Sequence, residues 1–106
     1  MKDKIKNVSI IIVTYNSSKK LVKLIKKIPY QSPILIVDNS NDQKLTKIFN
    51  KNKNITIYFK KNDGYGSSIN YAAKKIKTEY FFVIQPDVSG IDKDAIITFY
   101  DYAKKT

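Results

Sequence analysis

Four short runs of β-branched and aromatic residues punctuate a polar, lysine-rich chain: Val8 to Val13, Ile34 to Val37, Ile55 to Phe59 and Tyr80 to Ile84. They show little polar alternation, the pattern of strands covered on both faces. Between them the apolar positions follow a helical period. Leu21, Leu24, Ile25 and Ile28 repeat at i, i+3, i+4, i+7 after the cap candidates Ser17 and Ser18, and Pro29 ends the series. Ile69, Ala72, Ala73 and Ile76 repeat the same spacing, with Gly66, Ser67 and Ser68 at the expected helix start. Gln43 to Phe49 is a weaker helix with Leu45, Ile48 and Phe49 as its apolar side. Asp92 opens a last amphipathic stretch in which Ile96, Phe99, Tyr100 and Ala103 make one face. This β-α-β-α-β-α-β-α alternation predicts an α/β fold, an open, mostly parallel sheet with helices on both faces. No repeat or linker interrupts it, so residues 1–106 read as a single domain.

Composition narrows the chemistry more than the fold. With 42% hydrophobic and 27% charged residues the chain falls in the globular class. Its net charge is +11, and every basic residue is a lysine. The absence of the planar guanidinium fork argues against nucleic acid as the partner. Surface lysines can still draw a protein to an anionic leaflet, which leaves peripheral membrane association open. There is no cysteine and no histidine. That excludes disulfides, Cys/His zinc sites, thiol catalysis and Ser-His triads, so any metal must be held by oxygen ligands. Val8 to Val13, the only strongly apolar N-terminal run, is too short for a membrane span or a signal-peptide core, and a cytoplasmic address is expected.

In a parallel sheet of this kind ligands sit outside the carboxyl ends of the strands, which directs attention to four loops. The first, Thr14-Tyr15-Asn16-Ser17, brings a hydroxyl, a flat aromatic and an amide to a helix N-terminus; the residues suit a nucleotide base, and equally helix capping. The second, Asp38-Asn39-Ser40, offers a carboxylate for a base or sugar, or an Asx turn. The third, Lys60 to Ser68, holds Asn62, Gly64 and Gly66 before a helix, so its backbone can approach a phosphate or sugar. It is neither a P-loop nor a dinucleotide fingerprint. The fourth, Gln85-Pro86-Asp87, puts one carboxylate where a divalent metal could bridge to a ligand's own phosphates.

The order of these motifs resembles the N-terminal half of a family 2 glycosyltransferase with the GT-A fold, nearest to its rhamnosyltransferase-like members. The resemblance spans about residues 8 to 90. It implies a Rossmann-like, nucleotide-binding half-fold. Tyr15 would stack on the base with Thr14 and Asn16 beside it, Asp38 would contact a pyrimidine, and Asn39, Asn62 and Gly64 would border the nucleotide-sugar. Asp87 matches the metal-binding acid of the family's Asp-x-Asp signature, with Mn2+ or Mg2+ as the implied cofactor. Gln85 stands where the signature has its first acid and can still bond a ribose hydroxyl.

The implied activity is donor binding for an inverting transfer of a sugar to a glycan or lipid-linked acceptor. Family members continue well beyond this length, and no acid here matches their catalytic base, so the acceptor half is expected from a missing C-terminal part or a second subunit. A non-catalytic interaction module is the alternative, followed by a basic nucleic-acid-binding domain.

Overall fold

The computed structural model describes residues 6–28, 31–86 and 93–105. Strand β1 (Val8–Thr14) is buried along its whole length and forms the centre of the molecule. It pairs in parallel with β2 (Ile34–Asp38) on one side and β4 (Tyr80–Ile84) on the other, and β2 pairs in parallel with β3 (Ile55–Phe59). The sheet is therefore all-parallel, in the order β3-β2-β1-β4. Helix α1 (Ser18–Ile25) joins β1 to β2, α2 (Lys44–Ile48) joins β2 to β3, α3 (Tyr65–Ala73) joins β3 to β4, and α4 (Lys93–Lys105) follows.

Alternation along β1 sorts the core into two layers. Ile10 and Ile12 face Leu21, Leu24 and Ile25 of α1, Leu45 of α2, and Ile96 and Tyr100 of α4. Ile11 and Val13 face the other way, with Ile69 and Ala72 of α3. Both faces are covered, which is why the two inner strands carry no polar alternation.

The boundaries follow the sequence pattern with physical adjustments. β1 and β2 each run one residue beyond their apolar runs, to Thr14 and Asp38, because those two residues still pair with each other. β3 and β4 are half-exposed rather than covered on both faces, since the strand order leaves them at the edges. α3 starts at Tyr65, earlier than the Gly66 to Ser68 expectation, because Gly64 takes a positive φ of 116° and turns the chain into the helix there. In α2, Leu45 and Phe49 are buried while Ile48 is exposed. Ile96 and Tyr100 of the α4 face are buried; Pro29 and Asp92 lie outside the described residues, as do the side chains of Phe99 and Ala103.

Candidate functional site

The strand order reverses at β1. The chain steps outward through β2 and β3, then returns to place β4 on the other flank of β1. Such a switch point opens a crevice at the carboxyl edge, because the connections leaving the two neighbouring strands diverge. A cleft of about 370 Å³ lies there. Val13, Thr14, Tyr15, Ser17 and Lys20 line it from β1 and the start of α1, Asn39 and Asn62 from the second and third loops, and Tyr65, Gln85 and Pro86 from α3 and the end of β4.

A network of short bonds holds the loops around this cleft. Asn16 adopts φ 49°, a left-handed turn that asparagine tolerates better than most residues, and its backbone N–H donates to Ser40 Oγ at 3.0 Å. The Ser40 hydroxyl in turn donates to Asp38 Oδ1 at 2.7 Å. Asp38 Oδ2 accepts the Asp42 N–H at 2.6 Å, while Asn41 between them takes φ 56°. Asn39 Nδ2 donates to the Lys60 carbonyl at 3.0 Å and lies 2.9 Å from Ser68 Oγ, bridging the second loop to the third loop and to α3. Lys60 Nζ donates to Asp63 Oδ1 at 2.6 Å and to Ser67 Oγ at 3.0 Å. These contacts with Lys60 and Ser67 hold the Asp63 carboxyl below its ordinary pKa.

Five of the sequence-derived candidates meet at the cleft: Thr14, Tyr15, Asn39, Asn62 and Gln85. Three others support it from outside its lining. Asp38 is 1% exposed and its carboxylate is committed to Ser40 and Asp42, so the Asx-turn reading describes its contacts. Asn16 shapes the turn, and Gly64 caps α3. Asp87 lies outside the described residues.

Thr14 and Tyr15 make a sharp contrast. Tyr15 is 57% exposed, an aromatic face left to solvent beside the cleft. Thr14 is 3% exposed, and its Oγ1 is buried with no hydrogen-bond partner. A buried hydroxyl without a partner is costly, and a ligand that supplies one recovers that cost.

Sequence reasoning did not single out Lys20 or Tyr65. Lys20 is one of twenty lysines, and only its place one turn into the helix that leaves the switch point marks it. Among the described residues the cleft lining holds no carboxylate, and no cluster of three acidic or metal-binding side chains exists. The described residues therefore do not by themselves make a cation site, and the metal expectation rests on Asp87.

The pattern of glycosyl transferase family 2 matches residues 9–105. The chain belongs to this family. It is 33% identical over 85 residues to an uncharacterised glycosyltransferase of Rickettsia typhi, covering 76% of this chain and 27% of that protein. The fold matches the crystal structure of residues 1–349 of S. aureus TarS with a TM-score of 0.73 at 22% identity, covering 93% of this chain and 32% of that one. This family 2 chain thus has the GT-A type of α/β fold, and it spans about a third or less of the length of both relatives. Among the described residues no helix is long and apolar enough to cross a membrane.

Proposed function

We propose that the switch-point cleft is the donor pocket of a glycosyltransferase and takes a nucleotide-diphosphate sugar. The observation that carries this reading is the exposed Tyr15 ring in a cleft at the switch point whose other walls include Thr14, the amides of Asn39, Asn62 and Gln85, and a second exposed tyrosine, Tyr65. A base stacks on an aromatic face, and hydroxyls and amides at the edge read its N–H and C=O groups and the ribose. Membership in family 2 supports the sugar half of the proposal.

In the reaction an acceptor hydroxyl attacks the anomeric carbon while the bond from that carbon to the diphosphate oxygen breaks, inverting the configuration. The residues described here bind and orient the donor. Tyr15 fixes the base, Thr14, Asn39 and Gln85 hold polar edges, and the Asp38-Ser40-Asn16 chain of bonds keeps the first two loops in place. The base that takes the acceptor proton lies with the acceptor-binding part of a larger enzyme. Asp87 is the candidate ligand for a Mn2+ or Mg2+ ion, which would offset the charge of the leaving diphosphate.

Calorimetry of the chain with uridine, thymidine and guanosine diphosphates, with manganese and in EDTA, tests the reading. Binding of at least one of them is expected, weakened about tenfold or more by Tyr15→Ala, the size of a lost base-aromatic stack. No binding under any condition, or binding unaffected by Tyr15→Ala, refutes it.

A further inference from the structure

The two helical layers carry their charge unequally. Nine of the twenty lysines and none of the nine acidic residues fall in residues 18–28 and 43–53, which hold α1, α2 and the turns after them. Both helices pack on the same face of the sheet, through Leu21, Leu24 and Ile25 of α1 and Leu45 of α2. The helical period turns the positions opposite such a stripe outward. Lys23 and the C-cap Lys26 occupy them on α1, and Lys47 on α2; all three are exposed. The ion pairs Lys60–Asp63 and Lys104–Glu79 lie elsewhere. The opposite layer differs. Its helix α3 contains no charged residue, and Lys75 after it lies over the Tyr58 and Tyr71 rings, at 5.1 and 4.8 Å from their centroids. Lysines that served solubility alone would not sort by layer in this way.

The chemistry of this face selects its partner. The chain has no arginine for bidentate recognition of phosphates, and α1 and α2 contain no aromatic residue on which a base could stack. One aliphatic side chain, Ile48, is 42% exposed beside Lys47. Ammonium groups around an exposed aliphatic side chain complement a surface of diffuse negative charge above an apolar interior, which describes an anionic bilayer. We propose that the outer face of α1 and α2 docks on anionic lipid bilayers, with Lys23, Lys26 and Lys47 set against the headgroups and Ile48 reaching the acyl boundary. The cleft lies at the carboxyl edge of the sheet and not on this face, so the docking is independent of what the cleft binds.

The experiment is co-sedimentation with phosphatidylcholine vesicles, with and without phosphatidylglycerol, across a salt series. It compares the unaltered chain, the triple variant Lys23→Gln/Lys26→Gln/Lys47→Gln, Ile48→Asn, and the control Lys61→Gln/Lys74→Gln/Lys77→Gln. The control removes the same charge from exposed lysines in the third loop and after α3, and circular dichroism verifies that each variant is folded. Binding should require phosphatidylglycerol and fall as salt rises. The triple variant on the face should lose about a hundredfold in affinity, roughly fivefold for each lysine near the surface. The control should lose less than about fivefold, because its charges lie farther from the membrane and are screened. Ile48→Asn should lose about fourfold, the worth of one methylene taken from water, with an unchanged salt dependence. No binding to phosphatidylglycerol vesicles, or equal losses in the two triple variants, overturns the proposal. Retention of polyuridylate through the same three lysines, with vesicles unbound, would make the face a nucleic-acid surface and overturn it as well.

Discussion

Strand β1 carries a buried hydroxyl near each end, and the two have opposite surroundings. At the amino edge of the sheet Ser9 lies 2.7 Å from Thr78 Oγ1, and Thr78 donates its single proton to the Tyr80 carbonyl at 2.8 Å, which makes Ser9 the donor of the pair. Around it the Asn7 side chain accepts the Glu79 N–H at 3.0 Å and donates to its carboxylate at 2.8 Å, and the Tyr80 and Tyr100 rings meet edge to face. At the carboxyl edge Thr14 has no partner, three residues take positive φ, and two tyrosines stand exposed. The amino edge has its polar groups matched internally and serves stability. The carboxyl edge, for all its loop-to-loop bonds, leaves the Thr14 hydroxyl unmatched, a local cost that the amino edge does not carry.

The comparison breaks most visibly at Asp38, which belongs to the carboxyl edge by position but to the structural class by its bonds. Asp38→Ala removes the acceptor of the Ser40 hydroxyl and of the Asp42 N–H from a buried position, and should cost about 2–4 kcal/mol. The melting temperature should fall by more than about 10 °C in a domain of this size. An unchanged melting temperature with lost nucleotide affinity would move Asp38 to the ligand side, where the family resemblance alone had it touching the base.

Gly64 sharpens the contrast by separating backbone strain from crowding. A methyl group there would meet no atom within 4 Å, so the whole cost of Gly64→Ala arises from φ 116°. That cost should be about 1–3 kcal/mol. Gly66, two residues on, also has open space and sits inside α3 without a positive φ; Gly66→Ala should stabilise by about 0.5 kcal/mol. Denaturant melts of the two variants, one shifted down and one up, check the pair. Two losses of equal size would mean that both glycines are crowded in the folded chain.

The sheet and its helices were legible because periodicity reports burial, and burial decides most of this fold. The inner strands read as continuous apolar runs since helices cover both faces. Apart from element ends and the exposed Ile48, what escaped was the edge position of β3 and β4, because strand order is a long-range property that a local pattern does not carry. For the candidate site, the rule about carboxyl ends pointed to four loops, and Thr14, Tyr15, Asn39, Asn62 and Gln85 from those loops line one cleft. The division of labour inside those loops was not legible. Asp38 could be a ligand or a turn former from its type alone, and only its bonds to Ser40 and Asp42 show the second role. Lys20 was hidden among identical residues, since only its place in the first turn of α1, beside the cleft, distinguishes it.

A smaller effect tests the two hydroxyls directly. Ser9→Ala should cost about 1 kcal/mol, the worth of a buried hydrogen bond between neutral groups. Thr14→Val keeps the shape and removes a hydroxyl that bonds nothing in the protein, so the chain should be equally stable or slightly more so, with weaker nucleotide binding as the only loss. Thermal melts and nucleotide titrations of both variants read this out. Equal destabilisation by the two would mean that Thr14 has a partner in solution and that the two ends of β1 do not differ in kind.

The smallest expected effect concerns the fastening of the third loop, and it depends on pH. Asp63 bonds Lys60 at 2.6 Å, and the contact with Lys60, followed by that with Ser67, lowers its pKa below the ordinary value of 3.8. A carboxyl whose folded pKa is depressed contributes stability that is present above the unfolded value and is lost as pH falls through the folded one. Asp63→Asn should therefore melt slightly below the unaltered chain at pH 7, and the gap should close as pH drops beneath the unfolded value near 3.8. Because the Asp63 side chain is about half exposed, at 49%, salt should shrink the gap at neutral pH as well. A gap that persists at pH 2.5 and in high salt would mean that asparagine disturbs the turn before Gly64 itself, and that the carboxyl-edge loop is held by shape rather than by the Lys60 pair.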